Sequence, residues 1–308
     1  MKKLSILLTV FVVFLLLLTI LPLVGQKNDL TQEPGEFSGD QAYNYVFYQQ
    51  QLGPRVPGSE AHAKLVTYLE TTLTEMQWQV TIQPFTINGS EFKNVIATRQ
   101  GGNDWYIIAA HYDSRELADR DPDPELRNQP VPGANDGASG TAVLLELART
   151  LPKDLSATVS LVFFDGEDQG GINKQDWILG STYYASQLDK YPNAVILLDM
   201  VGDEDQKFYF EANSNQELRQ ALWLVADDLG YGEYFEKSVR HSILDDHVPF
   251  VNLGIPAVDI IDFDYEYWHT TNDTARYVSP SSLERVGNVV YTWLLNQNNQ
   301  KEASDIHD

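Results

Sequence analysis

No cysteine occurs in the 308-residue sequence. Disulfides, thiolate zinc sites, thiol nucleophiles and cysteine lipidation are thereby excluded. Any metal must be held by His, Asp and Glu. Positive charge is also scarce, with 21 Lys and Arg against 44 Asp and Glu, a formal charge of −23. So acidic a chain repels phosphate backbones, which argues against a nucleic-acid partner. Several local signatures are missing too. Without G-x-S-x-G, an α/β-hydrolase serine nucleophile is disfavoured. The glycine-rich run at Gly133 fits neither G-x-G-x-x-G nor a P-loop, so a nucleotide site has little support. Without H-E-x-x-H, a metal site would have to be assembled from distant residues. What remains is ordinary: 21% charged and 43% hydrophobic residues, on a chain long enough for one large core.

Lys2 and Lys3 precede an apolar run from Leu4 to Val24, broken by Ser5, Thr9, Thr19 and Pro22. This reads as a secretory signal whose length reaches the roughly 20 residues that span a bilayer. No A-x-A-like cleavage site follows Pro22, so an uncleaved signal anchor over residues 1–25 is favoured over a cleaved signal peptide. Either places the remainder outside the cytoplasm. Residues 26–39, with Pro34 and Gly35, read as a polar tether, 40–298 as a single catalytic domain, and 299–308 as a polar tail.

Within the domain, Ser59 and Glu60 open a helix carrying Leu65, Leu69, Leu73 and Met76 at helical spacing. Strands are expected at 78–85 and 92–98 around the turn Asn88-Gly89. Buried strands are expected at 105–110, 158–164, 194–201 and 257–261, where the apolar runs are short and continuous. Helices are expected at 141–151, 181–188 and 215–229. A last helix is expected to be capped by Ser281, with Glu284 three residues on. The alternation predicts a three-layer α/β/α sandwich with a mostly parallel central mixed sheet. In such folds, sites form beyond the carboxyl ends of the strands.

The strand ends obey that rule. His111-Tyr112-Asp113 follows the first buried strand, and Gly133 to Gly140, with Asp136 in the middle, precedes the next helix. Asp165-Gly166-Glu167-Asp168 follows the second, the third runs into Asp199, and Trp268-His269-Thr270 comes after the fourth. Imidazole nitrogen and carboxylate oxygen make a good zinc shell, and Asp136, Asp168 and His269 would supply three ligands from separate loops. Glu167 could then face substrate as a proton carrier, its proton affinity raised by neighbouring charges and a low-dielectric pocket. The bland alternative for Glu167-Asp168 is a solvated acidic turn. For Asp245-Asp246-His247 it is a turn leading into a helix N-terminus before Pro249. His62, His241 and His307 lack a strand-end context and are expected at the surface.

Taken in order, His111-Tyr112-Asp113, Gly-Ala-Asn-Asp136-Gly, Phe-Phe-Asp-Gly-Glu167-Asp168, Leu-Leu-Asp199, Asp245-Asp246-His247 and His269-Thr270 resemble the zinc exopeptidase family. That family includes co-catalytic zinc aminopeptidases and animal-type glutaminyl-peptide cyclotransferases. The likeness runs from about Tyr45 to Leu295 and includes the segment Gly53 to Ser59. Three features look like the cyclotransferase branch, particularly its bacterial members. These are the long segment between Glu167 and Leu179 with Trp177 in it, Trp268 directly before His269, and Asp245-Asp246-His247-Val248-Pro249. One departure is Asp168, where animal enzymes have Glu.

The resemblance implies a zinc-exopeptidase-like fold and one Zn²⁺ on Asp136, Asp168 and His269. It implies Glu167 as proton shuttle, Asp199 and Asp245 as its hydrogen-bonding partners, and Trp268 and Trp177 as pocket walls. The implied reaction converts the N-terminal Gln of peptides to pyroglutamate with release of ammonia. The alternative is an aminopeptidase with two zinc ions, His111 and Asp199 holding the second and Asp136 bridging. A non-catalytic peptide-binding ectodomain is a third reading, opposed by the presence of Glu167 and all three metal ligands. The expected partners are peptides or proteins with a free N-terminus, and the membrane if the N-terminal segment is retained.

Overall fold

The computed structural model describes residues 35–305. The expected signal or anchor at residues 1–25 lies outside them, as does the tether up to Pro34. Among the described residues, no helix is long and apolar enough to cross a membrane.

The chain enters through helix α1 (Gly39–Leu52), capped by the Ser38 hydroxyl accepting from Gln41 N. This helix was not expected from the sequence, because its apolar face is thin: Ala42, Tyr45 and Val46 are its buried apolar residues. The end of the expected tether is not free either. Phe37 is buried in the main core, where its ring fills the space a side chain at Gly287 would need. Helix α2 (Glu60–Glu75) starts at Ser59, whose hydroxyl accepts from His62 N, and it buries Leu65, Leu69 and Leu73.

Strands β1 (Gln79–Ile87) and β2 (Ser90–Arg99) form a hairpin. Both turn residues, Asn88 and Gly89, have positive φ, as a two-residue hairpin with the right-handed twist of its strands requires. Then follow β3 (Trp105–His111), α3 (Ala138–Thr150), β4 (Thr158–Phe164), α4 (Leu179–Ser186) and β5 (Ala194–Asp199). The last third holds β6 (Phe208–Glu211), α5 (Gln216–Asp228), β7 (Phe235–His241), α6 (Val248–Asn252), β8 (Ala257–Ile261) and α7 (Pro280–Asp305). The short parallel pair β6–β7 stands apart from the main sheet and was not anticipated, since β7 alternates weakly and is mostly solvent-facing. The cap expected at Ser281 is also displaced. Helix α7 already includes Pro280, and Glu284 instead accepts from Gly39 N at 3.3 Å.

The main sheet has the order β1-β2-β4-β3-β5-β8. Pairings β4–β3, β3–β5 and β5–β8 are parallel, while β1–β2 and β2–β4 are antiparallel, so β2 alone opposes the rest. Side chains alternate between two cores. Ile108, Ala110, Leu161, Phe163, Ile196 and Leu198 meet helices α1, α2, α3, α5 and α7 on one face. Ile107, Ala109, Val162, Phe164, Val195 and Leu197 meet α4 and α6 on the other. Each fully buried aliphatic or aromatic side chain contributes roughly 1.5–3 kcal/mol. The three-layer sandwich is therefore as expected. It also contains a switch point. The connection leaving β3 packs α3 on the first face, and the one leaving β4 packs α4 on the second. A crevice opens between the carboxyl ends of those two strands.

Candidate active site

That crevice is where the expected residues meet. His111 ends β3, Asp136 precedes α3, Asp168 lies in the turn after β4, Asp199 ends β5, and His269 lies in the loop after β8. Two groups of three donors result, each with its ligand atoms within 4.8 Å of one another: His111, Asp136 and Asp199; and Asp136, Asp168 and His269. Asp136 belongs to both. Its Oδ1 lies 3.1 Å from His111 Nε2, and its Oδ2 lies 3.7 Å from His269 Nε2. His111 Nε2 also meets Asp199 Oδ1 at 3.1 Å, and His269 Nε2 meets Asp168 Oδ1 at 3.0 Å.

Backbone geometry places these side chains. His269 has φ 57° and Met200, next to Asp199, has φ 47°. Left-handed conformations cost non-glycine residues on the order of 1–3 kcal/mol and tend to occur at functional sites. Gly137 follows Asp136, and a Cβ there would lie 2.5 Å from the His111 ring and from its carbonyl oxygen. Supporting hydrogen bonds come from residues to which no role was assigned from the sequence. The Asp113 carboxylate accepts from Glu167 N (3.1 Å), Asp168 N (3.3 Å) and Gln169 Nε2 (3.0 Å), and it faces His111 Nδ1 at 3.5 Å. Asp273 accepts from Asn135 N (2.8 Å), Asp136 N (3.2 Å) and the Tyr265 hydroxyl (2.9 Å). The Arg55 guanidinium is buried and donates to the carbonyls of Tyr112, Pro132 and Gly133, fixing the loop that leads to Asp136. Arg115 donates to Asp168 and grips Asp119, which lies 3.4 Å from His269 Nδ1. Asp273 and Arg115 stand in no local motif. Asp113 and Arg55 stood inside quoted segments, but only their hydrogen bonds reveal their tasks.

The charge balance suits a cation. Burial alone would push the His111 imidazolium pKa down, yet Asp113, Asp136 and Asp199 outweigh it and hold that pKa well above the usual value. Burial and the neighbouring Asp136 raise Asp168 to about 6, and burial raises Asp199 to about 7 against the pull of His111. Burial first, then Asp168, Asp245 and Asp246, hold the Glu167 carboxyl well above the carboxylate range, with His111 opposing. Two buried oxygens, Asp136 Oδ2 and Asp168 Oδ2, have no hydrogen-bond partner. Unpaired buried carboxylate oxygens beside an imidazole nitrogen are what a bound cation would satisfy. The residues present therefore fit a metal.

Above the donors lies a cavity of about 250 Å³ lined by Asp136, Glu167, Asp199, Asp245, His269, Trp177, Trp268, Ile243, Leu244 and Phe263, among others. All nine residues singled out from the sequence are thus in one place: His111 is buried beneath the cavity beside Asp136 and Asp199, and Asp168 beside His269. Glu167 is half-buried at the wall rather than on a solvated turn. Trp177 stacks on His269 with ring centroids 6.0 Å apart and planes at 6°, and the Arg115 guanidinium lies 4.7 Å from the Trp177 ring centroid. Asp245, Asp246 and His247 do form the turn before α6. All three are buried, however, and no side chain caps the helix. Two expectations fail at histidines. His62 is 5% exposed and bonded to Asp165, because it shares the buried face of α2 with Leu65, Val66 and Leu69. His241 is half-buried against Phe263. His307 lies outside the described residues.

A mixed α/β sheet with imidazole and carboxylate donors converging at its switch point makes a site that could hold a metal ion, as in zinc-exopeptidase-like folds. The profile of peptidase family M28 matches residues 94–294, and the chain belongs to that family. It is similar to the crystal structure of Porphyromonas gingivalis glutaminyl cyclase, with 36% identity and a TM-score of 0.80 over 85% of this chain and 99% of that one. A leucine aminopeptidase precursor from Bacteroides thetaiotaomicron is similar at 31% identity and a TM-score of 0.81, over 86% and 99%. The glutaminyl-peptide cyclotransferase-like protein of Bos taurus is 26% identical, covering 89% of this chain and 80% of its own length.

Proposed function

We propose that this chain is a zinc-dependent glutaminyl-peptide cyclotransferase that converts N-terminal glutamine to pyroglutamate and releases ammonia. The observation that carries this reading is an asymmetry between the two donor groups. The unpaired oxygens, Asp136 Oδ2 and Asp168 Oδ2, face the group completed by His269, whereas the Asp199 oxygens are not among the unpaired buried atoms. One cation on Asp136, Asp168 and His269 satisfies what is unsatisfied. In the group of His111, Asp136 and Asp199, the only unpaired carboxylate oxygen among the described buried atoms is the shared Asp136 Oδ2. The similarity to cyclotransferases over most of the chain supports the same reading.

Bound there, Zn²⁺ would supply Lewis-acid polarisation of the side-chain amide carbonyl. The remaining work falls to the protein. The cavity holds the glutamine side chain folded toward its own α-amine, between the indoles of Trp177 and Trp268. Making the attack intramolecular and pre-oriented supplies much of the acceleration. As the N–C bond forms, Glu167 takes a proton from the α-amine. As the C–N bond of the side-chain amide breaks, Glu167 returns that proton to the departing ammonia. Its elevated proton affinity suits the exchange. Asp199 and Asp245, which line the same cavity, orient Glu167 and the leaving group. Substrates are peptides or proteins with a free N-terminus, and the strongly negative chain favours cationic ones by weak steering. The basic and apolar N-terminal segment supports action outside the cytoplasm, with the chain either anchored or secreted.

Aminopeptidase activity is the second reading, favoured by the second donor group and the aminopeptidase-named structure. Product identity separates the two. Incubation with a Gln-initiated and a Leu-initiated peptide, followed by mass spectrometry, should show a loss of about 17 Da (one ammonia) from the first alone. A free amino acid and a shortened peptide would refute cyclisation.

A further inference from the structure

His62 sits on α2, and its ring is buried. Its Nε2 is 2.9 Å from Asp165 Oδ1 and 3.1 Å from the Tyr112 hydroxyl. That hydroxyl donates its hydrogen to the Lys93 carbonyl at 2.7 Å, so toward His62 its oxygen can only accept. The other Asp165 oxygen accepts from Lys93 N at 2.6 Å. The network therefore assigns the imidazole proton to Nε2, shared between a carboxylate oxygen and a phenol oxygen. The imidazole also lies against the Tyr112 ring, with centroids 5.2 Å apart and planes at 28°.

The two acceptors belong to the two strand ends that frame the crevice. Tyr112 stands between His111 and Asp113 after β3. Asp165 opens the turn after β4 that carries Glu167 and Asp168, and its own N–H is held by Asn94 Oδ1 at 3.1 Å. One donor thus ties together the segments whose relative placement sets Glu167 against His111 and the metal donors. Asp113, also buried, makes the same connection through Glu167 N and Asp168 N. We propose that His62 is a positioning residue: its Nε2–H clamps the Asp165–Asp168 turn to the end of β3 and so fixes Glu167 for proton transfer. This rests on the proposed role of Glu167. A histidine that merely filled the core would be exchangeable for an apolar residue at the expense of stability alone.

The test compares His62→Gln, His62→Leu and His62→Asn in the full chain loaded with zinc. Gln carries its amide N–H where Nε2 lies, Leu fills space without a donor, and Asn is polar but too short to reach. Because a misplacement of about 1 Å can lower a rate a hundredfold, His62→Leu and His62→Asn should lower kcat about 10- to 100-fold. KM should stay near wild type at saturating zinc, while the thermal midpoint falls in both variants because a buried carboxylate loses its donor. The contrast with His62→Gln in kcat is therefore what a merely structural role would not produce. His62→Gln should keep kcat within about threefold, and adding Asp165→Asn to His62→Leu should cost little more, since the two act as one unit. Wild-type kcat in His62→Leu, or equal losses in the Gln and Asn variants, would overturn the proposal. If His62→Leu does not fold, the Gln–Asn comparison decides alone. All variants are followed on both the Gln- and the Leu-initiated peptide. The wild-type product identifies the reaction, and the variant ratios test His62 in whichever reaction that is, so the two claims fail separately.

Discussion

Glu211 offers a prediction whose size can be worked out from its contacts. It ends β6, and its carboxylate accepts from Ser214 N (2.7 Å), Ser214 Oγ (2.9 Å), Ile243 N (3.0 Å) and His247 Nε2 (3.1 Å). Burial alone would raise its pKa, but these bonds outweigh it and bring the carboxyl down to about 2. At about 1.4 kcal/mol per pKa unit the shift corresponds to roughly 3 kcal/mol, and solvent screening reduces this to about 2 kcal/mol. A depressed carboxyl pKa gives stability that is fully present above the ordinary value near 4.5 and is lost as pH falls toward 2. Urea unfolding of the metal-free wild type and Glu211→Gln should therefore differ by about 2 kcal/mol at pH 7, with the gap closing as the pH drops toward 2. The difference curve matters because other groups act with the opposite sign. Burial raises Asp262 to about 7, so its contribution is present below the ordinary carboxylate pKa and lost as pH rises through 7. That term cancels between the two proteins. Ile243 lines the cavity and His247 lies two residues after Asp245, so the variant should also raise KM. A gap that does not change with pH would refute the reasoning.

Two further outcomes follow from the site itself. Glu167→Gln should lower turnover by about 10²–10⁴ while zinc binding measured by metal analysis stays intact, because a proton carrier is lost and no ligand is. Retained turnover would remove Glu167 from that role. Gly137→Ala should destabilise the chain by about 1–3 kcal/mol and weaken zinc binding, since the new methyl must displace the His111 ring or backbone. Thermal denaturation and zinc titration would read both effects, and unchanged values in the two would count against that packing.

What the sequence made legible was whatever has a local signature. The apolar runs of β3, β4, β5 and β8 announced strands buried on both faces, and chemistry-bearing residues stood at or just after the ends of the first three and in the loop after β8. Asn88-Gly89 marked its hairpin, and Ser59 its helix. Helix α1 and the β6–β7 pair escaped because their patterns are weak, and their place is set by packing rather than propensity. At the site, the nine residues named in advance do converge, since their order and strand-end positions are sequence features. The supports were hidden, because Asp273, Arg55 and Arg115 act on residues that lie far away in the chain, through contacts that only the fold creates. His62 could have been read more closely. Its spacing to Leu65, Val66 and Leu69 places it on the buried face of α2, and a buried histidine needs a partner.

The central claim is that one cation held by Asp136, Asp168 and His269 makes the glutamine side chain open to attack by its own α-amine. Titrating zinc into the chelator-stripped protein while following ammonia release from a Gln-initiated peptide tests this most directly. Activity should be lost on stripping and should return in full at one zinc per chain. Full-rate conversion by the stripped protein would contradict the claim, as would activity that appears only with the second equivalent.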